Sequence, residues 1–173
     1  MLKSILNNHH WGINLNVLVA EDNLFTIQQY KHVLEKNGCN VTTAIDGEEC
    51  MQKYNEAFLS LDTESIEAGP FDVVLIDNNM PKKSGAEAVK EILERCPNQR
   101  IIFASAYNIN SILSAPGVLK ESVEVLQKPF SLNTMIAKLQ SKWENYMYAI
   151  LDTCFASFRS FSNSSSVITF CSS

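Results

Sequence analysis

Short apolar runs alternate with longer amphipathic stretches along most of this chain. Five of the apolar runs predict buried strands, and they lie at residues 16–20, 39–44, 71–76, 100–104 and 122–127. The amphipathic stretches that follow them predict helices at residues 24–36, 47–59, 85–95, 108–119 and 132–148. Strands that alternate with helices in this way are typical of a doubly wound α/β domain with a five-stranded parallel sheet.

Residues with special backbone preferences mark several ends of these elements. Asn37-Gly38 predicts the end of the first helix. Asp46 and Ser84 are suited to cap the starts of the second and third helices, and Pro97 predicts the end of the third. Pro116-Gly117 predicts that the fourth helix ends early.

The alternating pattern predicts one domain, from residue 14 to residue 148, between two segments of different character. Residues 1–13 are predicted to be a leader, and residues 149–173 a Ser- and Phe-rich tail. Three phenylalanines, at positions 155, 158 and 161, could extend the last helix as an apolar stripe against the domain, a partner or a second copy of the chain. The serine-rich run that follows favours a poorly ordered end instead.

The composition narrows the class of protein. Hydrophobic residues make up 46% and charged residues 19% of the chain, as in ordinary globular domains. The net charge of -5 argues against direct binding of nucleic acid. The five cysteines are scattered without C-x-x-C spacing, which favours reduced thiols in a cytoplasmic protein. No apolar run is long enough to predict a membrane span.

Charged and polar residues follow four of the five predicted strands at the point where each strand ends. Glu21 and Asp22 follow the first strand, Asp77 the third, Ser105 the fourth and Lys128 the fifth. The carboxyl ends of parallel strands meet at one edge of a sheet, where ligands bind. We therefore expect these five side chains to lie close together.

The chemistry of this set points to a cation and a phosphoryl group. Three carboxylates, from Glu21, Asp22 and Asp77, repel one another unless a cation lies among them. Oxygen ligands suit Mg²⁺, which also contacts phosphate oxygens. Lys128 adds a positive charge, and Ser105 offers a hydroxyl donor. Such a site could support attack by a carboxylate on phosphorus, with an aspartyl phosphate as the product.

Each residue has an ordinary explanation when it is taken alone. Glu21-Asp22-Asn23 could simply cap the first helix. Asp77 could be a solvated carboxylate, Ser105 a loop hydroxyl and Lys128 an exposed cation. The functional hypothesis depends on the whole set, because all of these ordinary explanations would have to hold together to replace it.

Four stretches of the chain resemble the receiver domain of two-component response regulators, and they occur in order at suitable spacings. They are residues 17–23, residues 72–81 with Gly85, residues 101–106 and residues 127–130. The resemblance covers about residues 14 to 146. It implies the flavodoxin-like, three-layer α/β sandwich of that family.

The resemblance also implies a role for each acidic residue. Asp77 resembles the phosphoacceptor of the family. Asp22 and Asp77 resemble direct Mg²⁺ ligands, together with the backbone carbonyl of Asn79, and Glu21 resembles the ligand that acts through water.

Further roles are implied for residues after the fourth and fifth strands. Ser105 resembles the switch hydroxyl, and Ala106 the small residue that leaves room for the phosphoryl group. Lys128 resembles the lysine of the family's site, and the Lys128-Pro129 bond is expected to be cis, which is physically reasonable for a bond before proline.

The function implied is that of a stand-alone regulator rather than an enzyme, beyond its own phosphotransfer and dephosphorylation. A histidine kinase or a histidine phosphotransfer protein would donate the phosphoryl group to Asp77. The output would be altered binding of a downstream protein, or transfer of the phosphoryl group onward, and no nucleic-acid or membrane partner is expected. Homodimer formation through the tail is one further expectation.

Three departures and alternatives stay open. Many members of the family carry an aromatic residue where this chain has Val125, so it could be a pseudo-receiver that binds partners without being phosphorylated. Tyr107 could substitute for that aromatic. A small phosphatase would need a second aspartate at the position of Asn79, and a flavin phosphate would be repelled by Glu21 and Asp22.

Overall fold

The computed structural model describes residues 14–61, 69–106 and 122–141. The chain divides into two compact units, residues 1–136 and residues 137–173. The sheet and the site described below belong to the first unit, and the last described helix runs from the first unit into the second. The predicted helix at 108–119, the aromatic residue Tyr107 and the tail lie outside the described residues.

Five strands and four helices alternate along the described residues. The strands are β1 (Asn16–Ala20), β2 (Asn40–Ala44), β3 (Val73–Asp77), β4 (Ile101–Ser105) and β5 (Val123–Gln127). The helices are α1 (Leu24–Lys36), α2 (Gly47–Leu59), α3 (Gly85–Arg95) and α4 (132–141). No described helix has the length and apolar character needed to cross a membrane.

The strands form one parallel sheet in the order β2-β1-β3-β4-β5, which confirms the predicted doubly wound fold. The chain moves from β1 outward to β2 and then crosses back to β3 on the other side of β1. The strand order therefore reverses between β1 and β3, which is where ligands bind in open α/β sheets. This topology makes the strands that precede Glu21 and contain Asp77 direct neighbours.

The core lies on both faces of the sheet, because the strands bury consecutive residues rather than alternate ones. Leu18, Val74 and Phe103 point to the face covered by α2 and α3. The intervening residues Val19 and Leu75 are buried as well. Burial on both faces is the arrangement expected of a parallel sheet with helices on each side.

The three described cysteines, Cys39, Cys50 and Cys96, are buried, and the structure shows no disulfide among them. Burial raises the pKa of the Cys50 thiol to about 12. A thiol with so high a pKa is a poor nucleophile at neutral pH. Cys50 therefore acts as a small apolar residue rather than as a nucleophile.

The predicted helices α1, α2 and α3 are confirmed residue for residue, and their caps explain why. Asn23, Asp46 and Ser84 each accept a hydrogen bond from the backbone of the first helical turn. Ser84 and Glu87 also form a reciprocal capping box. Capping by a short polar side chain stabilises a helix by about 1 kcal/mol, so it fixes the starting residue.

The predicted first strand is confirmed residue for residue as β1, whereas the other four predicted strands differ from the structure by one or two residues at their ends. Strand β3 begins at Val73 rather than Phe71. Asp72, just before it, contacts Asn16 twice: its amide donates to the Asn16 carbonyl at 2.9 Å, and its side chain accepts from the Asn16 amide at 2.7 Å. Asp77 and Ser105 do not follow their strands but end them. The reason is pairing: Asp77 lies opposite Ala104, and Ser105 lies opposite Gln127, so both still belong to the sheet ladder.

The remaining two strands each begin one residue later than predicted. Strand β2 begins at Asn40 and β5 at Val123. The preceding residues make contacts of a different kind: Cys39 donates its amide to Leu34 at the end of α1, and the Ser122 hydroxyl donates to the carbonyl of Pro97. Hydrophobic patterning carries no signal for such contacts.

Gly85, the first residue of α3, packs directly against the backbone at the end of β3. A Cβ atom at this position would lie 2.0 Å from the carbonyl oxygen of Asp77 and 2.8 Å from its carbonyl carbon. The Gly85 amide donates to the carbonyl of Asn78 at 3.0 Å. The absence of a side chain thus lets the helix fix the backbone beside Asp77.

We expect Gly85→Ala to lower the free energy of unfolding by about 3 kcal/mol, because the new methyl group must displace backbone. Helix propensity alone predicts the opposite sign, since alanine favours a helix over glycine by about 1 kcal/mol. Equilibrium denaturation with urea measures the difference. A variant as stable as the wild type, or more stable, would contradict the close approach.

Candidate functional site

Three carboxylates meet at the carboxyl edge of the sheet, between β1 and β3. Glu21 and Asp22 follow β1, and Asp77 ends the adjacent β3. One oxygen atom from each of the three side chains lies within 4.8 Å of the other two. The structure thus brings together the three acidic residues that the sequence singled out.

Backbone hydrogen bonds on either side hold these residues in place. The amide of Glu21 donates to the carbonyl of Ala44 on β2 at 3.1 Å. The amide of Asn78, directly after Asp77, donates to the carbonyl of Ala104 on β4 at 3.1 Å. The site therefore sits on extensions of the sheet ladder, and its carboxylates are positioned by rigid backbone.

The capping alternative for the first acidic stretch applies to one residue only. Asn23 is the N-cap of α1, and its Oδ1 atom accepts from the amide of Thr26 at 3.0 Å. Glu21 is buried and Asp22 is exposed beside it. Because Asn23 performs the capping, the two carboxylates before it require another explanation.

Lys128 joins the acidic residues of the two neighbouring strands. Its Nζ atom lies 2.9 Å from Oε2 of Glu21 and 3.0 Å from Oδ1 of Asp77. Its backbone amide donates to the carbonyl of Ser105 at 2.9 Å. Lys128 follows β5, so the fifth strand contributes the cation and the first and third strands contribute the anions.

Burial and charge act against each other at this site. Burial raises the pKa of Glu21, and the hydrogen bond and charge of Lys128 offset only part of that rise. Burial alone would lower the pKa of Lys128, but the hydrogen bonds to Glu21 and Asp77 outweigh it and raise the pKa. Lys128 therefore stays charged, and it makes the burial of two carboxylates tolerable.

The donor set fits a hard divalent cation. Three carboxylates and one ammonium carry two net negative charges when all are ionised. Carboxylate oxygens are the ligands that Mg²⁺ prefers, and no described sulfur or imidazole atom joins the cluster. Asp22 is exposed, so the cluster opens to solvent on one side and can be reached by an anionic substrate.

Three further predicted residues lie at the same edge of the sheet and differ in their exposure to solvent: Ser105, Ala106 and Asn79. Ser105 is buried at the end of β4, and Ala106 after it is exposed. Asn79 is exposed two residues after Asp77, and its Oδ1 atom accepts from the side chain of Asn78 at 3.1 Å. The roles predicted for these three residues stay predictions.

Val125 occupies the middle of β5 and packs against the main hydrophobic core. No aromatic residue therefore stands on β5 at the position where many receiver domains have one, and the departure from the family pattern is real.

The Lys128-Pro129 peptide bond, directly after β5, is cis, as expected.

Tyr30, an aromatic residue close to the site, was not predicted from the sequence. Tyr30 lies on α1 and stacks on Phe130, with ring centroids 5.9 Å apart. Both rings line a cleft of about 420 Å³, together with Thr26, Ala106, Lys128 and Pro129. Burial raises the pKa of Tyr30 to about 12, so its hydroxyl stays protonated.

The helical spacing of Ile27, Tyr30 and Leu34 predicts only that these residues face the core. The proximity of the Tyr30 ring to Lys128 depends on how α1 lies on the sheet. The sequence contains one indication of an aromatic contact near the site, which is Phe130 after the predicted cis bond.

Residues 17–140 match the model of the response regulator receiver domain family. The chain belongs to this family. Receiver domains bind Mg²⁺ at their acidic pocket and interact with histidine kinases and downstream partners, and they are not enzymes of the usual kind.

Curated relatives agree with this assignment at modest identity. The chemotaxis protein CheY of Thermotoga maritima is 27% identical over 124 residues, which cover 71% of this chain and 92% of that protein. The aerobic respiration control sensor protein ArcB of Escherichia coli K12 is 26% identical over 131 residues, which cover 75% of this chain. That match spans 15% of the sensor protein's length.

Solved structures share the fold. A CheY in a CheX-CheY-BeF3-Mg+2 complex from Borrelia burgdorferi superimposes with a TM-score of 0.60 at 27% identity, covering 74% of this chain and 88% of that one. The chemotaxis protein CheY4 of Vibrio cholerae gives a TM-score of 0.60 at 27% identity, covering 74% and 98%.

Replacing Lys128 with methionine should destabilise the metal-free receiver domain by about 2 kcal/mol at pH 7, because Glu21 and Asp77 lose their shared charged donor. The pKa of Glu21, already raised, should rise further. A carboxyl with a raised pKa in the folded state favours folding while it is protonated, and this contribution is lost as pH rises through that pKa. The loss of stability caused by Lys128→Met should therefore be smaller at pH 5 than at pH 7.

Urea denaturation in the presence of a chelator at the two pH values measures this change. Lys31→Met is the matched control, since Lys31 pairs with Glu35 at the exposed surface of α1 at 3.8 Å. This substitution should change stability by less than about 0.5 kcal/mol at either pH. If Lys128→Met lowered the free energy of unfolding equally at both pH values, the ammonium group would not be what offsets the burial of these carboxylates.

Proposed function

We propose that this receiver domain is a phosphorylation switch and that Asp77 accepts the phosphoryl group. The observation that carries the proposal is the position of Asp77, whose carboxylate lies beside those of Glu21 and Asp22 and contacts the ammonium of Lys128. A solvated carboxylate without a function needs neither burial nor two acidic neighbours.

In the proposed reaction an oxygen atom of Asp77 attacks the phosphorus of a phosphohistidine on the donor protein. The new bond joins that oxygen to phosphorus, the bond between phosphorus and the donor's imidazole nitrogen breaks, and the imidazole takes up a proton from water. Lys128 would neutralise charge on the phosphoryl oxygens as the group arrives. Glu21 also holds Lys128 in position, since its Oε2 atom accepts a hydrogen bond from Nζ at 2.9 Å.

Asp22, Asp77 and the backbone carbonyl of Asn79 would hold Mg²⁺ directly, and Glu21 would contact it through water. The cation, when bound, would screen the repulsion between the acidic site and an anionic phosphodonor. The exposed position of Asp22 supports this assignment, because its carboxylate lies on the open side of the cluster, where a bound ion can keep its remaining water ligands.

The phosphoryl group would shift a two-state equilibrium through the neighbouring strands β4 and β5. Ser105 would donate its hydroxyl to a phosphoryl oxygen, and Ala106 would leave room for the group. Ser105 and Lys128 are already joined through their backbones, so a movement of either would be transmitted to the other. Because Val125 is aliphatic, this route would not involve an aromatic residue on β5.

The partners proposed are a histidine kinase or a histidine phosphotransfer protein as donor, and a downstream protein as target. The domain is proposed to extend from residue 14 to residue 148 in a cytoplasmic protein, and homodimer formation is a further proposal. A pseudo-receiver that binds partners without phosphorylation is the second candidate, and Val125 is the observation that favours it.

Asp77→Asn should abolish Mg²⁺-dependent labelling by acetyl phosphate, because the amide is not a nucleophile towards phosphorus. Intact-mass measurement with and without Mg²⁺ detects the gain of one phosphoryl group in the wild type. Asp72→Asn is a matched control from the same stretch of sequence. Its carboxylate lies at the opposite edge of the sheet, where it accepts a hydrogen bond from the amide of Asn16.

The control should be labelled like the wild type. If the wild-type chain gains no phosphoryl group under conditions that label another receiver domain, the pseudo-receiver alternative replaces the switch. Labelling that persists in Asp77→Asn would place the acceptor on another residue.

A further inference from the structure

A strained turn lies in the loop that joins β3 to α3, residues 78–84. The amide of Lys83 donates to the carbonyl of Pro81 at 2.8 Å, which closes a three-residue turn around Lys82. Lys82 has a φ of 64°, in the left-handed region. This conformation costs a residue with a side chain about 1–2 kcal/mol, and such turns are rare.

Among the described residues Lys82 is the one non-glycine residue with a positive φ. A residue keeps such a conformation only where several surrounding contacts hold it there, and these residues are often found at functional sites. Glycine would adopt the turn without strain. The cost of placing lysine in this turn can be offset by the contacts of its side chain.

One such contact is an ion pair with Asp46. The Nζ atom of Lys82 lies 2.6 Å from Oδ2 of Asp46, whose side chain is only 4% exposed. The other oxygen of Asp46, Oδ1, accepts from the amide of Glu49 at 2.8 Å and caps α2. One buried carboxylate thus joins the start of α2 to the loop after Asp77.

The backbone of the loop is held at the same place. A Cβ atom on Gly47, the first residue of α2, would lie 2.1 Å from the carbonyl oxygen of Lys83. The Lys83 side chain forms an ion pair with Glu91 on α3. Lys82 and Lys83 therefore attach the loop to α2 and α3 respectively, while Asn78 attaches its start to β4.

Asn79 lies between these attachments, three residues before Lys82. Its own side-chain contact is with the adjacent Asn78, and neither residue is part of a helix or a strand. The conformation of the Asn79 backbone thus depends on how firmly the two ends of the loop are held. After Asn79 the loop is held first by Met80, whose side chain is buried in the core, and then by the Lys82 turn.

We propose that the Asp46–Lys82 ion pair is a positioning device for the metal site: it holds loop 78–84 in the conformation that presents the Asn79 carbonyl to the cation. The inference rests on the proposed function, in which that carbonyl is a Mg²⁺ ligand. Lys82 is a positioning residue in this account, since it acts on the site through the backbone and through Asp46.

The sign of the effect separates positioning from simple electrostatics. Removing a lysine near an acidic site removes positive charge, which by Coulomb's law should tighten the binding of a cation. Lys82 is 56% exposed, so solvent and salt would keep that through-space effect small. Positioning predicts the opposite result, weaker binding of Mg²⁺ when Lys82 loses its charge.

The test is a Mg²⁺ titration of the full chain, followed through backbone amide chemical shifts. We expect Lys82→Met to weaken binding several-fold, up to about tenfold, near the lower end of the losses seen when groups that orient metal ligands are removed. Lys82→Arg retains the cation and should restore most of the affinity. Lys90→Met is the matched control, because Lys90 and Glu94 form an exposed pair at 3.9 Å on α3.

Two further variants separate the ion pair from the turn and from folding. Lys82→Gly relieves the strained φ but loses the ion pair, and it should bind Mg²⁺ as weakly as Lys82→Met. Asp46→Asn removes the charge from the other side and retains a good helix cap, and it should show the same loss. Urea denaturation without Mg²⁺ establishes that each variant is folded under the titration conditions.

The outcomes distinguish this inference from the function on which it rests. Lys82→Met and Asp46→Asn that bind Mg²⁺ as tightly as the wild type, or more tightly, would overturn the positioning role and leave the proposed function intact. Normal affinity in Lys82→Gly would assign the effect to the turn alone and overturn the role of the ion pair. A wild-type chain that does not bind Mg²⁺ would overturn both.

Discussion

The site depends on one ammonium group placed between two buried carboxylates. Lys128 lies within 3.0 Å of Glu21 and Asp77, which come from adjacent strands, and Asp22 adds a third anion at the surface. Without the lysine, the burial of both carboxylates would be opposed by desolvation and by their mutual repulsion. With it, the cluster keeps a net negative charge that suits a divalent cation.

The topology of the sheet makes this arrangement possible. The strand order reverses between β1 and β3, so the residues after β1 and at the end of β3 become neighbours although more than fifty positions separate them in the sequence. Gly85 allows α3 to approach the backbone of Asp77, and the loop attachments at Lys82 and Lys83 hold the segment between them. The contacts that stabilise this part of the fold thus also position the charged residues of the site.

Much of this could be predicted from the sequence because the signals are local. Capping residues such as Asn23 and Ser84 fix where helices begin, and parallel strands place their carboxyl ends at one edge. Strand ends were less predictable, since Asp77 remains in the ladder by pairing with β4 rather than by its own propensity. The contact of Tyr30 with Phe130 and the ion pair of Lys82 with Asp46 join distant segments, so no local pattern encodes them.

A crystal structure of the chain grown with Mn²⁺ and beryllofluoride, a mimic of the phosphoryl group, tests the central claim most directly. We predict beryllium bonded to a carboxylate oxygen of Asp77 and anomalous density for the metal between Asp22 and Asp77. Fluoride atoms should contact Lys128 and Ser105. Metal density elsewhere, or an unmodified Asp77 with Lys128 still bridging it to Glu21, would contradict the account.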